Sequence, residues 1–239
     1  MNLSPDTIVY GHVGPFPINA TLVFSWVVMA LLAGASFLVT RRIEPGGRMA
    51  PGQNVLEALV VFVLDQIRDV TQQDPEPYLP FVGTLFLFIV TSNVLGVVPG
   101  FEPPTGSLTT TAALAICVFL AVPAFGIARQ GLLGYLRGYV QPTPFMLPFT
   151  ILGELSRTLA LAVRLFGNIM SGTVIVAILL SVAPLFFPVV MQAFNLLIGV
   201  IQAYIFAILA IVYIASGTTR QTQRDARNDE TQNAEGGSE

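Results

Sequence analysis

Long apolar runs dominate this chain and predict several membrane-spanning helices. A helix rises ~1.5 Å per residue, so about 20 apolar residues cross a hydrocarbon core of about 30 Å. We therefore predict an all-α integral membrane protein with about five transmembrane helices. The runs that predict these helices cover residues 21–39, 81–98, 108–127, 149–183 and 189–216.

The last two runs are longer than a perpendicular crossing requires. Residues 149–183 contain no proline and would form a helix about 52 Å long. Such a helix must tilt steeply, follow the interface for part of its length, or break near Gly167 or Gly172. Residues 189–216 form a second long run. We expect these two spans to be strongly tilted and to form a hairpin.

Residues 55–70 follow a different pattern, in which apolar positions alternate with charged ones. This spacing predicts one amphipathic helix, lying on the membrane surface or packed on the bundle. The flanks of the chain are more polar. We divide it into an N-terminal outside segment (1–20), a single membrane domain (21–216) and a polar, disordered cytoplasmic tail (217–239).

Composition agrees with this assignment. Hydrophobic residues make up 54% and charged residues 10% of the 239-residue chain, whereas soluble domains carry about 25% charged residues. No basic patch indicates nucleic-acid binding. The single cysteine, Cys117, cannot form an internal disulfide. We expect no cofactor and no metal site, and the only histidine, His12, carries no functional signal.

Arginine positions predict the orientation. With five crossings, the arginines flanking the spans all fall on one side, which the positive-inside rule assigns to the cytoplasm. The N-terminus is then outside and the C-terminus cytoplasmic. The arginines on that side are Arg41, Arg42, Arg48, Arg129, Arg137, Arg220, Arg224 and Arg227.

One charge lies inside an apolar run. Arg164 occurs in the segment Leu159-Ala-Leu-Ala-Val-Arg164-Leu-Phe-Gly-Asn168. Insertion scales put the cost of such a charge at roughly 2.5–3.5 kcal/mol at a helix centre. No acidic residue lies between Glu154 and Asp225. Because a buried charge needs a partner, the carboxylate that pairs with Arg164 must come from another segment or another chain.

Polar residues form stripes along the last two spans. Five polar residues of the 149–183 span are separated by three, seven, four and three positions, which places them on one face of a helix. They are Glu154, Arg157, Arg164, Asn168 and Ser171. On the second, Gln192, Asn195 and Gln202 form a neutral stripe, and Asn93 adds a polar group to the 81–98 span. Two simpler interpretations stay open. Glu154 and Arg157 could pair with each other, and Gln192 and Asn195 could be interhelical hydrogen-bonding residues.

These segments resemble subunit a of F-type ATP synthases. The resemblance covers about residues 15 to 216 and is most specific in the Arg-Leu-Phe-Gly-Asn element inside a spanning helix. The amino-acid sequence around Arg164 is most similar to that of the N-type branch of this family, whose members often transport sodium. The segments that carry the resemblance are Glu154-Leu-Ser-Arg-Thr-Leu-Ala-Leu-Ala-Val-Arg164-Leu-Phe-Gly-Asn168-Ile-Met-Ser-Gly172, Leu197-Ile-Gly-Val-Ile-Gln202-Ala-Tyr-Ile-Phe206 and Thr91-Ser-Asn93-Val-Leu-Gly-Val-Val-Pro99-Gly100.

The resemblance implies a non-catalytic stator subunit in the bacterial plasma (inner) membrane. It implies two ion half-channels against a ring of c subunits, each with a buried carboxylate, and a peripheral stalk of subunit b. ATP chemistry would then lie on other subunits. Arg164 matches the family's essential arginine, and Gln202 matches its neighbouring glutamine. Arginine suits this role because it stays protonated in proteins.

Two positions depart from the family's pattern. Many members carry Glu or His nine residues after the arginine and seven before the glutamine, where this chain has Thr173 and Asn195. The outer half-channel therefore lacks its usual titratable pair, and neutral oxygen ligands fit Na⁺ or a water wire. Glu154 is a candidate to compensate, although it lies toward the cytoplasmic end. The transported ion is thus H⁺ or Na⁺, and we hypothesise Na⁺.

Two other functions stay open on the residues alone. A stand-alone secondary transporter could use Arg164 to bind an anionic substrate, but we find no internal repeat and five spans are few. A purely structural membrane anchor would have no use for an arginine inside a span.

Overall fold

The computed structural model describes residues 9–13, 16–41, 51–71, 74–98, 100–140, 147–182 and 187–236. Arg42 and Arg48, which contribute to the predicted orientation, lie outside these residues. The secondary structure consists of two short strands and six α-helices, joined by one 3₁₀ turn (Pro104–Gly106) among the described residues. The strands are β1 (Val9–Val13) and β2 (Phe16–Asn19); the helices are α1 (Ala20–Thr40), α2 (Pro51–Thr71), α3 (Leu79–Leu95), α4 (Leu108–Val140), α5 (Leu147–Val182) and α6 (Phe187–Gly236).

The predicted all-α membrane architecture is confirmed. Among the described residues, four helices are long and apolar enough to cross a membrane by length and composition. The second predicted span is the shorter α3, whose 17 residues extend about 26 Å. The four longer candidates are Ala20–Leu38, Leu108–Arg129, Pro148–Ser181 and Val189–Ser216.

Helix α6 lies at the centre of the bundle and packs against α2, α3, α4 and α5. In its membrane-length segment, 44% of the residues are buried, compared with 11% in α5. The core is formed by apolar side chains of these five helices, α2 to α6, including Ile67, Ile89, Val118, Leu165 and Phe206. Helix α5 therefore packs on one side only and leaves most of its apolar surface free for lipid or another chain.

Helix α5 runs without interruption through Gly167 and Gly172. The alternative of a break near these glycines is therefore wrong. At 36 residues the helix is about 54 Å long, so within a hydrocarbon layer of about 30 Å it must tilt strongly or extend beyond the layer. It contacts α6 along the bundle, as the predicted hairpin requires.

Helix α2 is amphipathic as predicted. Val63 and Ile67 are buried against the bundle, whereas the charged residues are on the outer face, where Arg68 and Asp65 lie 4.0 Å apart. The Tyr204 hydroxyl of α6 donates a hydrogen bond to Gln66 Oε1 at 2.6 Å. The helix is therefore packed on the bundle rather than separate from it.

Three features differ from the sequence-based expectation. The segment 1–20 contains an antiparallel hairpin of β1 and β2. Helix α4 continues to Val140 but is interrupted at Gly131, whose φ is 74°. Glycine adopts a positive φ readily because it has no Cβ. Helix α6 extends to Gly236, where we predicted a disordered tail; the Arg, Gln, Glu and Ala residues of that segment are favourable helix formers.

Candidate functional site

Arg164 is the residue on which the site is centred. Its side chain is exposed, whereas the adjacent Leu165 is completely buried in the core. Leu159 and Val163, which share the exposed surface of α5, are 63% and 53% exposed. Among the described residues, Arg164 makes no ion pair or hydrogen bond. A permanent charge on an apolar surface of this kind requires a partner from outside the described part of the chain.

Two contacts fix the register between α5 and α6. Asn195 Oδ1 lies 2.6 Å from where a Cβ at Gly172 would be, and the guanidinium carbon of Arg157 lies 5.8 Å from the centre of the Tyr213 ring. The helices therefore run antiparallel. In an antiparallel pair, eight residues back from Gly172 on α5 and eight residues forward from Asn195 on α6 reach the same level. These residues are Arg164 and Ala203, so Gln202, which precedes Ala203, lies at about the level of Arg164.

Gln202 is buried, with 6% of its surface exposed. Its Nε2 group has no hydrogen-bond partner among the described residues. An unpaired buried donor costs about 1–3 kcal/mol, so such groups are rare in folded proteins and call for an explanation. The unpaired donor lies inside the bundle, at about the level of Arg164.

A cavity of about 350 Å³ lies on the C-terminal side of Arg164 along α5. It is lined by residues of α3, α5, α6 and the loop between α3 and α4. This volume accommodates several water molecules, at about 30 Å³ each. Its polar lining residues are Asn93, Glu102, Asn168, Thr173, Gln192 and Asn195.

Several lining groups have their donors engaged within the protein. The Nδ2 group of Asn93 donates to Gly199 O at 3.0 Å, and the Nε2 group of Gln192 donates to Gly96 O at 3.0 Å. The Thr173 hydroxyl donates to Met170 O at 2.9 Å. These bonds leave the side-chain oxygens as acceptors, while each amide keeps a second N–H, so the lining can hold water or solvate a cation.

A second, much smaller cavity of about 20 Å³ lies on the N-terminal side of Arg164. It has room for about one water molecule. Arg157 lies ~10 Å before Arg164 along the helix axis, and Asn168 of the larger cavity lies ~6 Å after it. Along the axis of α5, Arg164 thus lies between residues of two polar cavities. The polar residues of the smaller one are Glu154, Arg157, Thr158, Tyr213 and Ser216.

Comparison with known proteins identifies the family. Residues 22–215, which are most of the chain, match the ATP synthase A chain family. The chain belongs to this family. It is 58% identical over 218 residues to ATP synthase subunit a 2 of Acaryochloris marina, which covers 91% of this chain and 93% of the relative. It is 57% identical over 218 residues to ATP synthase subunit a of Albidiferax ferrireducens, covering 91% and 94% of the two chains.

In this member of the ATP synthase A chain family, the structure divides the predicted polar stripe on α5. Glu154 and Arg157 line the smaller cavity and Asn168 lines the larger one. Ser171 is exposed and its hydroxyl donates to Asn168 O at 2.9 Å, within its own helix. The stripe is therefore a series of distinct environments on either side of Arg164.

The predicted stripe on α6 divides in a similar way. Gln192 and Asn195 line the larger cavity, and Gln192 also bonds to Gly96 O as an interhelical hydrogen-bonding residue would. Asn195 packs on Gly172, so this glycine permits close approach of α6. A Cβ at Gly167 would meet nothing within 4 Å among the described residues, so no neighbour in this part of the chain approaches that glycine closely.

Sequence patterns missed several residues of these cavities. Tyr213 and Ser216 join the smaller cavity from α6, and Glu102 joins the larger one from a loop. The α6 residues continue the polar positions of that helix, so a longer stripe could have included them. Glu102 has no helical periodicity to reveal it, although a carboxylate in a short loop between two spans is itself a signal.

Proposed function

We propose that this chain is the stator subunit of a rotary F-type ATP synthase or ATPase, and that it forms two ion half-channels against a ring of c subunits. The observation that carries the proposal is the position of Arg164, which is exposed on an otherwise apolar helix between two polar cavities. Family membership supports this role over a stand-alone transporter with an anionic substrate.

The proposed mechanism depends on the permanent positive charge of Arg164. Arg164 attracts an ionised ring carboxylate and so displaces the ion that the carboxylate carries. At 4 Å the attraction is about 4 kcal/mol for an effective dielectric of 20, which favours release and still permits the ring to step onward. In this proposal, the Gln202 side chain turns toward Arg164, at about the same level, so that its Nε2, which is unpaired among the described residues, bonds that carboxylate or a water beside it.

The two cavities provide the ion paths in this proposal. The larger one lies beside the loop between α3 and α4, which the arginine distribution assigns to the outside. The smaller one lies toward the cytoplasmic end of α5. An ion enters by one cavity, neutralises a ring carboxylate, is carried around with the ring, and leaves by the other. Arg164 prevents direct passage between them by repelling cations.

Other assignments belong to the same proposal. The chain lies in a bacterial inner membrane with its N-terminus outside and contacts subunit b of the peripheral stalk. Catalytic ATP chemistry takes place on other subunits. The neutral oxygens at Thr173 and Asn195 favour Na⁺ as the transported ion and fit the N-type branch. Na⁺ stimulation of ATP hydrolysis by the complex at alkaline pH tests this assignment; its absence would exclude Na⁺.

The test of the proposed function is Arg164→Ala in the complete complex, reconstituted into liposomes. We expect loss of ATP-driven ion pumping while the chain still co-purifies with the ring. Gly153→Ala is a matched control on the same helix, because a Cβ there would meet nothing within 4 Å among the described residues, and it should pump normally. Normal pumping by the Arg164 variant would refute the proposal.

A further inference from the structure

The larger cavity contains one ionisable side chain among its described lining residues, that of Glu102. The other polar lining groups are amides and a hydroxyl, and Glu102 itself is half-buried. Within the described residues it makes no ion pair or hydrogen bond through its side chain. Within this part of the chain its charge is therefore not neutralised by an ion pair.

The backbone around Glu102 is held firmly in place. The ring of Phe101 packs against Phe24 of α1, with 4.7 Å between ring centres, and Phe101 N donates to Val98 O at 3.0 Å. On the other side, Pro103 packs on Gly96, where an added Cβ would lie 2.8 Å from Pro103 Cγ. The residues that flank Glu102 in sequence are thus both anchored, and the carboxylate is held at the cavity rather than on a free loop.

The positive charge of Arg164 is the reason why a carboxylate is needed at the position of Glu102. Arg164 is one turn from Asn168, which lines the same cavity, so its positive charge opposes the entry of any cation. Neutral acceptor oxygens solvate a cation but do not offset that repulsion. A single negative charge in a cavity with low-dielectric walls raises the local cation concentration.

We propose that Glu102 binds the transported cation, H⁺ or Na⁺, in this cavity. Na⁺ then moves on to the acceptor oxygens of Asn93, Thr173 and Asn195, whereas H⁺ moves on through water molecules that these oxygens hold in the cavity. This assignment rests on the proposed function of the chain. Glu154, the other candidate to compensate for the missing titratable pair, lines the smaller cavity.

The test measures cation flux through the complete complex in liposomes, driven by a K⁺ diffusion potential with ADP and phosphate present. Two titrations are made in the solution that faces the larger cavity. In the first, flux is recorded as a function of Na⁺ concentration at fixed pH; in the second, it is recorded as a function of pH without Na⁺. For Glu102→Gln we expect the cation concentration at half-maximal flux to rise about tenfold, with the maximal flux within about twofold of the wild type.

Matched variants separate the possible outcomes. Glu76→Gln makes the same chemical change at an exposed residue outside the cavity, and it should leave the half-maximal concentration unchanged. If Glu102→Gln behaves like Glu76→Gln while Arg164→Ala has lost ATP-driven pumping, the role of Glu102 is refuted and the proposed function stands. If Arg164→Ala pumps normally with ATP, the proposed function itself fails.

A second measurement covers the case in which Glu102→Gln does not assemble. Cys117 is the only native cysteine of this chain, so Glu102→Cys in a Cys117→Ala background leaves a single thiol on this subunit within the complete complex. Modification with an anionic sulfonate reagent should lower the half-maximal concentration toward the wild-type value, whereas a cationic ammonium reagent should raise it. Equal effects of the two reagents would overturn the proposal.

Discussion

Gly172→Ala is expected to destabilise the contact between α5 and α6. The added methyl group would lie 2.6 Å from Asn195 Oδ1, 2.8 Å from its Cγ and 3.0 Å from its Nδ2. These distances are shorter than van der Waals contact, so the amide must move or the helices must separate. Overpacking of this kind costs about 1–3 kcal/mol, and we expect the free energy of unfolding in mixed detergent micelles to fall by that amount.

A double-mutant cycle isolates the contact. Asn195→Ala removes the amide that the new methyl group meets, so Gly172→Ala should cost little in that background. The expected coupling is therefore about 1–3 kcal/mol. Gly153→Ala is the control for helix propensity on the same helix, because none of the described residues lies within 4 Å of its added Cβ, and it should be neutral or stabilising by up to ~1 kcal/mol. If Gly172→Ala is as stable as Gly153→Ala, the proposed close contact is wrong.

Three further changes test other contacts. Asn93→Ala removes the 3.0 Å hydrogen bond to Gly199 O and should lower the free energy of unfolding by about 0.5–1.5 kcal/mol; an unchanged value would contradict the bond. Gln202→Met removes an unpartnered buried donor, so stability should stay equal or rise while ATP-driven pumping falls; normal pumping would exclude a role for the amide. Tyr213→Leu removes the ring facing Arg157 and should cost about 0.5–1 kcal/mol in the same unfolding assay, and no loss would argue against the cation–π contact.

Much of the fold could be predicted because apolar length is a strong signal in a membrane protein. The run at 21–39 became α1 (Ala20–Thr40), and the uninterrupted run at 149–183 became the single helix α5 (Leu147–Val182). The hairpin of β1 and β2 was missed because strands of five and four residues carry too little periodicity. The interruption at Gly131 was missed because glycine also occurs within regular helices of this chain.

The candidate site was predicted less completely than the fold. Arg164 and Gln202 could be identified because polar groups in apolar helices are costly and therefore conspicuous. Their common level on α5 and α6 depends on the helix register, which spacing within one helix does not determine. The same holds for Glu102, which joins the larger cavity only because the loop between α3 and α4 folds back over α5 and α6.

The central claim is that two separate ion paths meet at Arg164 and are connected only by ring rotation. It is tested most directly by measuring passive ion flux through the complete reconstituted complex after the ring has been cross-linked so that it cannot turn. The account predicts no flux in the wild type and a measurable leak in Arg164→Ala, because the repelling charge between the two cavities is gone. Flux through the locked wild-type complex, or an equally tight Arg164→Ala complex, would contradict it.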